Sequence, residues 1–238
     1  MANLIIDIGN TALKAAWADG ITLGKTFRYQ GERMVEFILS LAEKNHPEII
    51  ILSSVRKFTA QNIERLGEVC DRLMIMDNAV FSKYSIPEYL SPDRAASIIA
   101  SRYLFKGRKC SIFDFGTIIS IDHLDAEGNY DGGSISPGCM TRFKSVHRYS
   151  RQLPLLGIPE EVPEKGFDIS SSIYSGVISG IMFEIQGNIC ENPENIVVFT
   201  GGDANYFAKR MKNSIFVVCN LVLMGLALMA VNILTDNE

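Results

Sequence analysis

Apolar positions along the chain follow two rhythms. Short apolar or alternating runs bounded by Gly, Pro or Asn mark strands, and longer stretches with apolar residues every three or four positions mark helices. Strands are expected at 3–8, 12–18, 48–53, 72–76, 110–115, 117–123, 129–135, 195–199 and 215–219, and helices at 32–44, 59–69, 92–106, 139–151, 170–190, 203–211 and 221–234. Strand-turn-strand units alternate with strand-helix units, which implies an α/β chain with helices covering a mixed sheet. The segments 77–91 and 154–168 are the long irregular stretches. The run IFVVCNLVLMGLALMAVNIL at 215–234 is long enough to span a bilayer. Asn220 divides it into a β-branched strand and a helix of about four turns, and a lone span without a basic flank would be unusual. A buried strand and helix is therefore the expectation, with no membrane partner.

The first strand contains an anomaly. LIIDIGNTALKAAW at 4–17 breaks its apolar run for an Asp, a Gly and an Asn-Thr pair. A carboxylate in an otherwise buried strand is either used or satisfied by a partner. The arrangement returns at FDFGTIISIDHLDAEGNYDGGSI, 113–135, where Asp114-Phe115-Gly116-Thr117 echoes Asp7-Ile8-Gly9-Asn10-Thr11. Such a repeat implies two related half-molecules, divided as 1–106 and 107–238. Gly lets the backbone turn tightly and approach a ligand, and successive N–H groups with a Thr hydroxyl can hold phosphate oxygens. The adjacent Asp can hold a cation or orient water, and Lys14 adds a point charge for phosphates. One such turn alone is equally an ordinary hairpin; two copies facing one cleft favour a ligand site.

A third Gly site is VVFTGGDANYF at 197–207. Gly201-Gly202 at a strand end lets a flat base or ribose lie against the backbone, and the following helix N-terminus favours anions. Taken singly, it is also an ordinary strand-to-helix turn capped by Asp203. Neither G-x-x-x-x-G-K-[ST] nor G-x-G-x-x-G occurs, so no P-loop or dinucleotide-binding Rossmann site is signalled.

Composition narrows the function classes. With 238 residues, 47% of them hydrophobic, the chain can bury a sizeable core. The net charge of −4 with scattered Lys and Arg offers no footprint for nucleic acid. Five widely spaced Cys without a C-x-x-C argue against a disulfide framework or structural zinc. There is no basic start followed by a small-residue cleavage site, so reduced thiols and a cytoplasmic location are expected.

DIGNT with Lys14, the paired DFGT and TGGDA resemble the two phosphate motifs and the adenosine motif of the acetate and sugar kinase, heat-shock ATPase and actin superfamily. Within it the chain resembles the type III pantothenate kinases. Further matches are SPDR at 91–94, GGSISPG at 132–138, MTRFKSVHRYSRQLP at 140–154, SIYSGVISG at 172–180 and NLVLMGLALMAVN at 220–232. The resemblance implies two ribonuclease H-like halves of the actin-like ATPase fold, with a nucleotide cleft between them. It implies a homodimer that phosphorylates the primary hydroxyl of pantothenate with ATP, the first step toward coenzyme A. ATP would come with magnesium, and a potassium or ammonium ion would be required. Carried over, Asp7, Gly9, Asn10, Thr11, Lys14, Thr117, Gly201 and Gly202 would bind ATP, and Asp114 the monovalent cation. Tyr84, Ser91, Pro92, Asp93 and Arg94 would bind pantothenate, Asp93 taking the hydroxyl proton.

Local chemistry agrees at Asp93. Ser91 is a good N-cap, Pro92 suits the first helical position, and the dipole then favours the Asp93 carboxylate by ~0.3–1 kcal/mol. Acidic first-turn residues are also common without catalysis. His147, four residues after Phe143, fits a partly buried structural His, although the family often has one near the substrate. Three positions depart from the family pattern. Ser91 stands for Gly, Ile118 for Ala, and a substrate-binding Thr falls by spacing near Ile169, with Ser170 as the neighbouring hydroxyl. These departures permit a pantothenate kinase with altered contacts, a kinase for another small alcohol, or a catalytically weak nucleotide-binding relative with a regulatory role.

Overall fold

The computed structural model describes residues 2–235 and comprises two compact units. The first holds β1 (Asn3–Ile8), β2 (Leu13–Asp19), β3 (Thr22–Tyr29), α1 (Met34–Ala42), β4 (Ile49–Ser54), α2 (Ala60–Gly67), β5 (Arg72–Ile75), α3 (Asn78–Ser82) and α4 (Pro92–Leu104). The second, Gly107–Cys219, holds β6 (Cys110–Phe115), β7 (Ile118–Leu124), β8 (Tyr130–Pro137), α5 (Cys139–Tyr149), α6 (Ile169–Glu191), β9 (Ile196–Gly201), α7 (Ala204–Ala208) and β10 (Ile215–Val217). The chain then returns to the first unit as α8 (Leu221–Thr235).

The two sheets share one plan. In the first unit the order is β3-β2-β1-β4-β5, an antiparallel meander of β1 to β3 with β4 and β5 added parallel on the other side of β1. In the second, β6, β7 and β8 form the meander, and β9 and β10 add parallel beside β6. The strand bearing the anomalous Asp is therefore the middle strand of each sheet.

Burial explains why β1 reads as a continuous apolar run. Leu4, Ile6 and Ile8 join Met34, Ile38 and Leu41 of α1 and Leu66 of α2 in one core. Ile5 is equally buried, and by the two-residue alternation it shares the opposite face with Asp7. On the second sheet, Phe113 and Phe115 pack with Phe143 of α5 and Ile178, Ile181 and Ile185 of α6. The Phe115 ring lies 4.8 Å from Phe199 and 5.0 Å from Phe207, centroid to centroid, which anchors the end of β6.

Several expectations need correction. Residues 22–29 form a strand that the hydrophobic pattern does not signal, because β3 is an edge whose Thr22, Gly24, Lys25 and Arg28 face solvent. Part of the expected irregular stretch 77–91 is helical in α3. Assigning residues up to 238 to the second half also fails, because α8 packs on α4, β1 and β4 and belongs to the first unit. The apolar run 215–234 divides into β10 and α8, and among the described residues no helix is long and apolar enough to cross a membrane.

The contact of α8 with α4 is close. A Cβ on Gly225 would lie 1.9 Å from the Ala96 carbonyl oxygen. Replacing a helical Gly by Ala normally gains roughly 0.5–1 kcal/mol, but forcing two packed helices apart costs about 1–3 kcal/mol. Gly225→Ala is therefore expected to lower the unfolding free energy by up to about 2.5 kcal/mol in urea denaturation, the balance of those two effects. An unchanged or increased stability would show that the helices separate freely.

Candidate active site

In the first unit the Asp7 backbone pairs with Lys14 across the β1–β2 ladder, so both side chains emerge on one face. The Gly9 N–H donates to the Ala12 carbonyl at 3.1 Å, closing a turn with Asn10 and Thr11 exposed at its tip. The segment after β4 supports this turn. Val55 N–H donates to the Ile8 carbonyl at 3.1 Å, and Arg56 Nη2 donates to the Asn10 carbonyl at 3.1 Å. Arg56 is itself shaped by Ser54, whose hydroxyl accepts from the Arg56 N–H and donates to its carbonyl, each at 2.9 Å. Beside the turn is a cavity of about 240 Å³, lined in part by Ile8, Glu32, Arg56 and Lys57. Of its lining residues only Ile8 lies in the Asp-Gly turn motif; the others belong to no motif of the sequence.

α4 begins as its sequence dictates, with one difference. Ser91 has the extended N-cap backbone and Pro92 opens the helix, but the Ser91 side chain makes no capping bond. Instead, Asp93 Oδ1 accepts from the Arg94 N–H at 3.0 Å. Asp93 is half-buried and Arg94 is buried. Tyr84 sits further along. Its carbonyl accepts from Arg102 Nη1 at 2.5 Å, and the following Ser85 has φ +54°. The Arg102 backbone from which that donor reaches lies about 13 Å along the α4 axis from that of Asp93, nine residues at 1.5 Å each.

The second unit gathers its expected residues tightly. Asp114, the penultimate residue of β6, is half-buried beside Thr200 of β9 and Ser120 of β7 in the ladder. The Gly116 N–H donates to the Ile118 carbonyl at 3.0 Å, giving a turn one residue shorter than its counterpart at Gly9. Thr117 is exposed at the tip, and its carbonyl accepts from the Gly138 N–H at 3.0 Å and the Thr141 hydroxyl at 2.6 Å. Gly201 has φ +90°, and a Cβ there would lie 2.4 Å from Asp114 Oδ1 and 2.5 Å from the Phe115 carbonyl oxygen. Only a residue without a side chain lets β9 close on that carboxylate. Gly202 follows in the open, and the Asp203 N–H donates to the Phe115 carbonyl at 3.3 Å.

The other residues expected to face the substrate, His147 and Ile169, lie elsewhere in the second unit. His147 Nδ1 donates to the Leu153 carbonyl at 2.7 Å. Ile169 is the first residue of α6 and is 57% exposed. The helix is capped by Asp168 with Ser171 in a reciprocal box, so Ser170 is not consumed by the cap. Ile118 is partly exposed at the start of β7, paired with Pro137.

Burial pushes the Asp203 carboxyl above the usual carboxylate range. The Cys139 thiol is raised to about 12 by burial and by Asp203, against the opposing charge of Arg142. It therefore stays protonated at neutral pH. Among the described residues, no three or more His, Cys, Asp or Glu side chains group as a metal-ligand set.

Two halves of this strand order, each ending its middle strand in a carboxylate and a Gly turn, define an actin-like ATPase fold. Residues 3–191 match the family model for type III pantothenate kinase. A type III pantothenate kinase of Bacteroides fragilis is 33% identical over 232 residues, covering 94% of this chain and 95% of the relative. Among solved structures, a conserved Campylobacter jejuni protein provisionally named a Baf family transcriptional activator superposes with a TM-score of 0.66 at 18% identity, over 99% of this chain and 100% of that one. The ADPNP-bound activator of 2-hydroxyisocaproyl-CoA dehydratase from Clostridium difficile does so at 0.59 and 15%, over 100% and 97%. Those two share the fold. The chain belongs to the type III pantothenate kinase family.

A carboxyl whose pKa is raised by folding lends stability below its unfolded value and loses that contribution as pH rises through the folded value. Asp203→Asn is therefore expected to be more stable than the parent at pH 7 and equal to it below about pH 3, under the unfolded Asp value. Urea denaturation at the two pH values checks this. A variant less stable at pH 7 would contradict the burial argument.

Proposed function

We propose that this chain transfers the γ-phosphoryl group of ATP to the primary hydroxyl of pantothenate, giving 4'-phosphopantothenate and ADP at the entry to coenzyme A biosynthesis. The observation that carries the reading is a near full-length match to type III pantothenate kinases in a chain that keeps a carboxylate and Gly turn at the end of both middle strands. Phosphoryl transfer needs little covalent help from a protein, so the rate comes from positioning and charge stabilisation. Asp7, Gly9, Asn10, Thr11 and Lys14 in the first unit, and Thr117, Gly201 and Gly202 in the second, are assigned to ATP. Exposed turn tips and Gly backbones free of side chains support that assignment.

Asp93 is assigned the base. Its place in the first turn of a 13-residue helix, half-buried and supported by a backbone N–H, suits a carboxylate that accepts the hydroxyl proton as the oxygen attacks phosphorus. Tyr84, Ser91, Pro92, Arg94, His147 and Ile169 are assigned to the pantothenate side. Asp114 suits a potassium or ammonium ion: its carboxylate and the neighbouring Phe115 carbonyl, brought together under Gly201, are hard oxygen donors. That ion would supply a positive charge beside ATP. Magnesium enters with the nucleotide, whose phosphate oxygens bind it.

A homodimer fits α6, where Ile169 and Phe183 are 57% and 74% exposed on a helix whose interior carries Glu184 as its single charge. Light scattering at micromolar concentration is expected to give twice the chain mass; a monomer mass would contradict it. A cytoplasmic location goes with these substrates.

Steady-state kinetics test the roles. Asp93→Asn is expected to lower kcat by roughly 10²–10⁴-fold with the fold intact, and unchanged turnover would remove Asp93 from the chemistry. Wild type is expected to be activated by potassium over sodium, and Asp114→Asn to lose that response. Full wild-type activity in sodium alone would contradict the cation assignment.

A further inference from the structure

One charged group of α6 is placed where it acts on the Thr117 turn. Between Ile169 and Cys190 the helix has a single ionisable acid, Glu184, and its carboxylate is fully engaged. Oε1 accepts from the Ser136 hydroxyl at 2.5 Å, and Oε2 accepts from Arg142 Nη2. The same Nη2 donates to the Ser136 hydroxyl oxygen at 3.1 Å, closing a three-membered ring of side chains. Both members of the ion pair are about four-fifths buried, with side chains 22% and 23% exposed, so neither is a freely solvated surface charge.

A second nitrogen of Arg142 reaches the backbone. Its Nε donates to the Pro137 carbonyl at 2.8 Å. That carbonyl belongs to the same planar peptide as the Gly138 N–H, which donates to the Thr117 carbonyl at 3.0 Å. In a planar trans peptide the C=O and N–H point in opposite directions, so gripping one aims the other. Gly138 is seated so closely that a Cβ there would lie 2.1 Å from the Gly116 carbonyl oxygen. The guanidinium thus holds one side of a rigid plate and the turn rests on the other.

We propose that Arg142, held by Glu184 and Ser136, is a positioning residue for ATP: through the Pro137–Gly138 peptide it sets the orientation of the Gly116–Thr117 turn. This rests on the assignment of Thr117 to ATP. A fork is required, because three acceptors in different directions must be satisfied at once. Lysine keeps the charge but brings one nitrogen.

The test compares Glu184→Gln and Arg142→Lys with Thr117→Ala, measuring KM for ATP and for pantothenate separately, and thermal melting. Both clamp variants are expected to raise KM for ATP roughly tenfold, less than the 10²-fold a displacement of about 1 Å can cost. KM for pantothenate should stay within about twofold of wild type, and melting should fall by roughly 3–12 °C, the loss of hydrogen bonds to a charged, largely buried group, with the chain still folded at assay temperature. If Glu184→Gln does not fold, Arg142→Lys decides. Unchanged KM for ATP in the clamp variants while Thr117→Ala raises it would overturn the clamp alone. Full rescue by lysine would overturn it too, as would a parallel rise in both KM values. If Thr117→Ala itself leaves KM for ATP unchanged, the underlying assignment fails instead.

Discussion

The middle strand of each sheet has neighbours on both sides, so it can meet a ligand only at its ends. In the first unit Leu4, Ile5, Ile6 and Ile8 are almost completely removed from water, and in the second Ile112, Phe113 and Phe115 are. A carboxylate on such a strand is tolerated only near its end, where the chain emerges into a turn. Asp7 and Asp114 stand there, each one residue before the last strand position. From that constraint the rest follows: the turn must be tight, its neighbours must approach with backbone rather than side chain, and Gly appears wherever they do.

The second unit shows how far that close approach goes. Gly116, Gly138 and Gly201 come from three different strand ends, and a methyl group on Gly138 or Gly201 would collide with the turn's backbone or with Asp114. Burial of Phe115, Phe199 and Phe207 beneath the turn supplies the rigidity that such packing needs, each large side chain contributing about 1.5–3 kcal/mol on removal from water. Asp203 is a cost within the same arrangement, a carboxyl kept from water beside the Gly-Gly turn. Natural sites commonly retain such local penalties where the group is needed for function.

Much of this was legible along the chain because it is local. The Asp-Gly turns, the Thr-Gly-Gly turn and the start of α4 at Pro92 each depend on residues within a few positions of one another. What escaped is either weakly patterned or distant in sequence. β3 is an exposed edge strand without a clean alternation, and α8 leaves the second half for a partner more than a hundred residues earlier, α4. Ser91 has the residue type of a cap but leaves the bonding to Asp93. Arg142 and Glu184 are 42 positions apart, and the bond from Arg56 to the Asn10 carbonyl spans 46. A basic residue just after a strand end is the only signal Arg56 offered, and Arg142 was marked only by lying in the family-like stretch 140–154, with nothing to tie it to Glu184.

The central claim is coupling: ATP is broken down by this chain in order to phosphorylate pantothenate. The most direct measurement follows γ-labelled ATP and pantothenate with the purified protein, quantifying ADP and labelled 4'-phosphopantothenate over time. The account requires label to appear in phosphopantothenate in equal amount to ADP, with negligible ADP formed when pantothenate is left out. Label released as free phosphate, with ADP formed at the same rate with or without pantothenate, would contradict it.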